Sequence, residues 1–428
     1  MKKKIKNIIS KTDSFFYRFF GSDKSLKSLQ NMHEAEKIFS CLNYEGKEDN
    51  VKFVGGCVRK ALCGDEIDDI DLATSLEPTE AKSRLMKEDI KVIESGISHG
   101  TITAILNDKK FEITTLRKDI STDGRHAEVE FTSNWEIDAS RRDFTINAIY
   151  SDLEGRIFDP LNGVADLQNG IIKFIGSPEE RIKEDYLRIL RYFRFSIQYS
   201  KTQYDQATIK SIRKNINGLN KISNERIFDE LIKILKIENL YSLFSNNESK
   251  EIILNVFPQF KYYERLEIFN SLSNKFRYKY DNYLILALII IDESNDHEYF
   301  CHKYKVSNNI KNRFKNIALN FNDIKNKKFY LETNIRKLIY FSGRNSVLDL
   351  LLFSICVNNR EKNFDIENLI SYVENCKVPK FPISGEYLKE QGYKTGEVLG
   401  KKLKELEQDW IKNNFVIDEK KFKKSLDK

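Results

Sequence analysis

Apolar residues change their spacing once along this chain of 428 residues. Between Val51 and about Tyr150 they fall in short runs separated by polar turns: VKFVGG, DIDLAT, KVIES, GTITAIL, KFEITTLR and EVEFTS. Runs of this length, rich in Val, Ile, Phe and Thr, predict strands. After about residue 170 glycine and proline become rare, and apolar positions recur at helical spacing for almost all of the remainder. The shift predicts an α+β head followed by a long all-helical region. Ahead of the head, a Lys-rich stretch carrying Phe15, Phe16, Tyr17, Phe19 and Phe20 predicts an N-terminal helix packed on the next domain. Pro382, Gly385, Gly392, Gly396 and Gly400 punctuate a tail of short helices. The most apolar run, YLILALIII at 283–291, is shorter than the roughly 20 residues a membrane span needs and reads as a buried helix.

Length alone predicts two or more domains. The net charge of +7 permits an anionic partner without requiring one. Six cysteines, with no C-x-x-C pair among them, read as reduced thiols of a cytoplasmic protein rather than a zinc site. The five histidines form neither an H-E-x-x-H motif nor a His-Asp dipeptide, which argues against a fused metal phosphohydrolase. A targeting presequence would favour Arg over the Lys found at the N-terminus.

Candidate chemistry concentrates in FVGGCVRKALCGDEIDDIDLAT, residues 53–74. Val51, Phe53 and Val54 predict a buried strand leading into Gly55-Gly56, a turn whose backbone N–H groups can approach a triphosphate with no Cβ in the way. Arg59 follows as a donor of charge-assisted hydrogen bonds to phosphate oxygens. Asp69 and Asp71 flank Ile70 in a β-prone stretch, and strand alternation puts both carboxylates on one face. Two hard oxygen ligands so spaced suit Mg²⁺, which binds through one or two carboxylates plus substrate phosphates.

A second constellation follows. Arg141-Arg142-Asp143-Phe144-Thr145-Ile146-Asn147-Ala148 reads as the start of a helix, its arginines either facing phosphate or paired with Asp143 to fix the helix end. In EDYLRILRYFRF (184–195), Leu187, Leu190, Phe193 and then Ile197 follow helical spacing and form a core face. A three-residue step leaves Asp185 and Arg188 about 60° apart on one helix, off that face, with Arg191 beside them. Arg194 falls at the edge of the apolar face, where it must be paired or reach outward. An acceptor beside a donor fork matches the amine and ring acceptor of cytosine or adenine and rejects the oxo groups of uracil and guanine. A simple i, i+3 ion pair, worth a few tenths of a kcal/mol, is the alternative.

Taken in order, GGCVRK, DIDLATS, FEITTLR, TDGRHAEVEF, RRDFTINAIY, FDPLNGVADL, EDYLRILRYFRF and the tail segment FPISGEYLKEQGYKTGEVLGKKLKELEQDW make nearly the whole chain resemble the class II tRNA nucleotidyltransferases, the CCA-adding branch of the tRNA nucleotidyltransferase and poly(A) polymerase family. The resemblance implies a polymerase β-like nucleotidyltransferase head with a mixed sheet, followed by helical neck, body and tail. The implied boundaries are an N-terminal extension at 1–30, head at 31–160, neck at 161–225, body at 226–375 and a tRNA-binding tail at 376–428. It further implies that Asp69 and Asp71 are catalytic and bind Mg²⁺, and that Gly56, Arg59 and Arg142 contact the triphosphate. Asp185 and Arg188 would read the base, with Arg191 and Arg194 completing the nucleotide pocket. Glu112 and Asp143 are candidate supporting carboxylates, equally suited to pairing with nearby arginines. The implied partners are tRNA, CTP and ATP, with no membrane; the motifs specify no oligomeric state. The segment 121–131 resembles the loop associated with switching from C to A addition. Lys60 departs from the family's usual Asp or Asn after the Arg of the Gly-Gly motif.

The nearest rival is a bacterial poly(A) polymerase, which shares the head and the E-D-x-x-R element. Those enzymes tend to carry Pro-Val after the Glu-Asp and DFD in place of DID, whereas this chain has Tyr186-Leu187 and Asp69-Ile70-Asp71. A catalytically silent RNA-binding relative is the second alternative, and the intact D-x-D argues against it.

Overall fold

The computed structural model describes residues 26–43, 49–122, 127–358 and 366–418. The N-terminal aromatic cluster and residues 123–126 of the loop therefore lie outside the described residues. The chain divides into two units, 1–252 and 253–428.

In the first unit the short apolar runs become β1 (Val51–Val54), β2 (Ile70–Thr74), β3 (Lys91–Gly96), β4 (Thr101–Leu106) and β5 (Lys109–Thr115). They continue as β6 (Arg117–Thr122), β7 (Ala127–Phe131), β8 (Tyr150–Ser151) and β9 (Ile157–Phe158). Seven of them form one mixed sheet in the order β3-β4-β5-β2-β1-β8-β9, while β6 and β7 make a separate ribbon. The β2–β5 pair is parallel, and every other pairing is antiparallel. β1 is buried along its whole length, as its apolar composition requires, and Phe39 of the helix His33–Leu42 covers Phe53 at 4.8 Å between ring centroids. β3, at the edge, is mostly exposed.

Val54, Ala73, Leu116, Ala139, Ala148, Tyr150 and Ile175 form one buried cluster beside the β1 and β2 strands. A second core, made of aromatic rings, joins the sheet to the helices that follow. Phe144 lies 4.5 Å from Phe174 and 5.4 Å from Phe195, and Phe174 stacks on Tyr192 at 5.8 Å. No strand follows β9 among the described residues, so the α+β head with helices after it is observed as expected.

Gly163, at the start of the helix Gly163–Asn169, has a steric role that its motif did not reveal. A Cβ there would run into the backbone carbonyl of Thr145, which cannot move aside as a flexible side chain would. The close approach is fixed by Thr145, whose hydroxyl donates to Asp166 Oδ2 at 2.6 Å. Gly163→Ala is therefore expected to destabilise the first unit by about 3 kcal/mol, the upper end for overpacking. Chemical denaturation of the variant against wild type measures it.

In the second unit the run at 283–291 forms the helix Asn282–Ile290, buried from Leu284 through Ile290 and capped by the Asp281 carboxylate, which accepts from the Leu284 N–H at 2.8 Å. No described helix is long and apolar enough to cross a membrane. Near the C-terminus, where short helices were expected, Gly385–Glu390 is short but Glu397–Lys412 runs for 16 residues and is anchored by Trp410 against Phe381 and Tyr340. All six cysteines are free and buried.

Candidate active site

β1 gives way to Gly55, whose backbone (φ +69, ψ −116) lies in the region that favours glycine, and the helix Gly56–Cys63 begins at the next residue. The Cys57 thiol fixes this corner by donating to the carbonyls of Val54 (3.3 Å) and Asp71 (3.4 Å). Both glycines lie against charged groups, which an added Cβ would just touch. A Cβ on Gly56 would stand 3.7 Å from Asp71 Oδ2, and one on Gly55 would stand 3.5 Å from Arg142 Nη1. A carboxylate and a guanidinium thus face the same bare turn.

Asp71 is half-buried on β2, and Asp69 is exposed in the residue just before that strand. Parallel pairing puts Glu112 of β5 in register with Asp71, so a second carboxylate lies beside it on that face. Burial pushes the Asp71 carboxyl up to about 6, with Glu112 and Asp69 adding to the rise and Arg142 and Arg59 opposing it. Among the described residues no three His, Cys, Asp or Glu side chains converge closely enough to hold a metal unaided. Lys60 pairs with Asp68, whose Oδ1 also accepts the Asp69 N–H at 3.1 Å. The residue that departs from the family pattern thereby ties the Gly56–Cys63 helix to the segment presenting Asp69.

The arginine segment differs from expectation. Arg141 ends a helix, Trp135–Arg141, instead of beginning one, and only a short turn at Thr145–Asn147 follows. The helix starts where Asn134 Oδ1 accepts the N–H groups of Glu136 and Ile137. It stops because Asp138 draws both arginines back. Oδ1 accepts from Arg141 Nε at 2.8 Å, while Oδ2 accepts from Arg142 Nη2 at 3.0 Å and from the Tyr150 hydroxyl at 2.7 Å. Burial opposes ionisation of Asp138, yet Arg142, Arg141 and the Tyr150 hydroxyl together hold its carboxyl well below the usual range. Arg142 is left with Nε and Nη2 tethered and Nη1 turned to Gly55.

Arg59 is not open to solvent as a phosphate donor would be. It is buried, donates from Nη1 to Asn147 Oδ1, and lies over the rings of Phe195 (4.7 Å) and Tyr199 (5.2 Å). Asn147 passes the connection on by donating to Asp143 Oδ1 at 2.8 Å, and Asp143 Oδ2 accepts from Arg191 Nε at 2.7 Å. Asp143 is thus an internal ion-pair partner, remote in role from the Asp71 face. Burial opposes its charge, but Arg191 and Asn147 keep its carboxyl well below the ordinary range. Arg191 (5.6 Å) and Arg194 (4.0 Å) also lie over Phe195, so three guanidinium groups share one ring.

The largest correction concerns the pair expected to read the base. Asp185 and Arg188 do not share a helix: one helix ends at Glu184, the next spans Arg188–Tyr199, and Asp185 sits extended between them. Asp185 Oδ1 accepts the Leu187 N–H at 3.1 Å, a local bond that competes with helix continuation. Its Oδ2 accepts from Arg226 Nη2 at 2.8 Å, and Arg188 Nη1 donates to Glu184 Oε2 at 2.5 Å and to the Arg181 carbonyl at 2.8 Å. Tyr186 is held in the break because its ring fills the space a side chain on Gly218 would need. Arg194, expected either to be paired or to reach outward, is paired: its Nε donates to Glu230 Oε1 at 2.5 Å.

Asn147, Phe195, Asp138, Arg226 and Glu230 were not singled out from sequence. Asn147 alone left a signal there, as an amide in the otherwise apolar FTINAIY.

Residues 51–173 match the family model described as the poly A polymerase head domain, and 203–263 match the model for a probable RNA- and SrmB-binding site of polymerase A. A mitochondrial CCA tRNA nucleotidyltransferase 1 from Mus musculus is 33% identical over 396 residues, covering 91% of this chain and 88% of its own. A CCA-adding enzyme from Ligilactobacillus salivarius is 32% identical over 86% of this chain and 89% of its own. The solved Bacillus stearothermophilus CCA-adding enzyme in complex with CTP has the same fold, with a TM-score of 0.70 at 23% identity over 89% of this chain and 92% of that one. With relatives of this identity matched along most of their length, the chain belongs to the CCA-adding tRNA nucleotidyltransferase family.

Proposed function

We propose that this chain completes tRNA by adding C, C and A to its 3′ end without a template, using CTP and ATP. In each step the 3′-hydroxyl oxygen attacks the α-phosphorus of the nucleotide. A bond from O3′ to the α-phosphorus forms, the bond from the α-phosphorus to the bridging oxygen breaks, and pyrophosphate leaves. The observation that carries the reading is the bare Gly55-Gly56 turn with Asp71 Oδ2 on one side and Arg142 Nη1 on the other. A polyphosphate fits between a cation and a carboxylate only if a metal offsets the carboxylate.

Asp69 and Asp71 are the residues that would hold Mg²⁺. Their hard oxygen donors are too few to bind it alone, so phosphate oxygens of the nucleotide would complete the shell. When bound, the metal supplies charge that acidifies the attacking hydroxyl and steadies the departing pyrophosphate. Glu112 stands in register with Asp71 and adds negative charge to the same face. Arg142 takes the polyphosphate with its untethered Nη1, and Arg59, lodged beneath the turn, contributes its positive field. Gly56 keeps the backbone bare. Asp185 accepts the exocyclic amine of cytosine or adenine and Arg188 donates to the ring nitrogen beside it. Arg191 and Arg194 buttress this pocket through Phe195.

We further assign the head to 31–160, the neck to 161–225, the body to 226–375 and the tRNA-holding tail to 376–428, and place the enzyme in the cytoplasm, a reading supported by its six free thiols. Incubation with tRNA lacking CCA, Mg²⁺ and all four nucleoside triphosphates tests the activity. Extension by three nucleotides and then a stop is expected; a long A tail would instead support the poly(A) polymerase reading, and absence of incorporation the silent RNA-binding one.

A further inference from the structure

An acceptor and a donor that must present themselves side by side to a base face a physical difficulty, because opposite charges three residues apart satisfy each other. Asp185 and Arg188 escape it. Each is drawn away by a separate partner: Asp185 Oδ2 by Arg226 and Arg188 Nη1 by Glu184. No side-chain bond joins Asp185 to Arg188 among the described residues; only the Arg188 N–H reaches the Asp185 carbonyl, at 3.0 Å.

Arg226 comes from a distant stretch of chain, the helix Asn224–Leu235, whose N-cap Ser223 accepts the Arg226 N–H. One turn further along the same helix, Glu230 is buried and holds Arg194. Residues four apart share a helix face. The helix thus offers a cation to the acid of the reading segment and an acid to its cation, two contacts of reversed polarity that fix both the distance and the register between the two elements.

We infer that Arg226, seconded by Glu230, is a positioning residue that sets nucleotide specificity by holding the Asp185 carboxylate apart from Arg188. This deepens the proposed function and rests on its assignment of Asp185 and Arg188 as base readers. Arg226 Nη2 donates to Asp185 Oδ2 at 2.8 Å, and a lysine ammonium at that position keeps a positive charge beside the carboxylate.

The test compares R226A, R226K and wild type on tRNA lacking CCA, measuring kcat and KM for CTP and for UTP together with the melting temperature. R226A is expected to lower the CTP-to-UTP ratio of kcat/KM by about tenfold or more, chiefly through a raised KM for CTP. R226K should recover most of the ratio. An unchanged ratio in R226A would overturn the inference, as would an equal loss with both nucleotides that lysine fails to rescue, which is what a merely structural role produces. D185A separates the two levels. If D185A collapses the ratio while R226A preserves it, the positioning role fails and base reading stands; if D185A preserves the ratio, base reading itself fails and the positioning role with it.

Discussion

Asp69→Ala is expected to lower nucleotide incorporation by about 10³-fold or more, because a metal clamp on a transferring phosphoryl group contributes several kcal/mol to the transition state. The fold should not suffer. Asp69 is exposed, and its hydrogen bond to Asp68 runs through its backbone N–H, which alanine keeps, so the melting temperature should stay close to that of wild type. Asp71→Asn should be as inactive, and it too should remain folded, since the substitution removes a charge that Glu112 and Asp69 repel. Steady-state incorporation of CTP, with circular dichroism melting on the same preparations, checks both. Near-normal incorporation by either variant would contradict the assignment.

Asp138→Ala should have the opposite signature, a large loss of stability with a secondary loss of function. One buried carboxylate there holds Arg141, Arg142 and the Tyr150 hydroxyl. Removing one partner of a buried ion pair costs about 3–5 kcal/mol, because the remaining charges stay behind uncompensated. For a unit of this size that corresponds to a fall of roughly 10 °C in melting temperature. Arg142 would also lose its tether, so the KM for CTP should rise.

The same group predicts a pH dependence. The Asp138 and Asp143 carboxyls are both held below their unfolded value of about 3.9. Their contribution is therefore fully present above that value and is lost as pH falls below it toward the depressed folded values. Wild-type stability should drop steeply from about pH 4 downward, and Asp138→Asn should flatten that slope. Melting temperatures recorded from pH 3 to pH 7 measure the difference.

What the sequence made legible and what it hid divide along a physical line. The strand into Gly55-Gly56 and the change from strand to helical periodicity are local, and each appeared where its pattern placed it. The apolar spacing of Leu187, Leu190 and Phe193 marked the 188–199 helix but could not mark the break before it. That break depends on Arg226, 41 residues away from Asp185, and on Tyr186 lying against Gly218. A contact between distant segments leaves no spacing in either of them. The path from Arg59 through Asn147 and Asp143 to Arg191 was invisible for the same reason, and so Asp143 read equally well as a metal-supporting acid. The helix expected to start at Arg141 was misplaced because adjacent basic and acidic residues suit either end of a helix; the cap at Asn134 decided the matter.

The helix that follows the Gly55-Gly56 turn and the segment proposed to read the base meet at Phe195, over whose ring Arg59, Arg191 and Arg194 all lie. A single enzyme built this way should match the nucleotide it accepts to the end it extends. The most direct test gives the protein, with Mg²⁺, three tRNA primers ending before the CCA, after the first C and after the second C, each with one nucleoside triphosphate at a time. The account predicts that CTP alone extends the first two primers and that ATP alone adds a single residue to the third. Repeated addition of A to any primer, or comparable use of UTP and CTP, would contradict it.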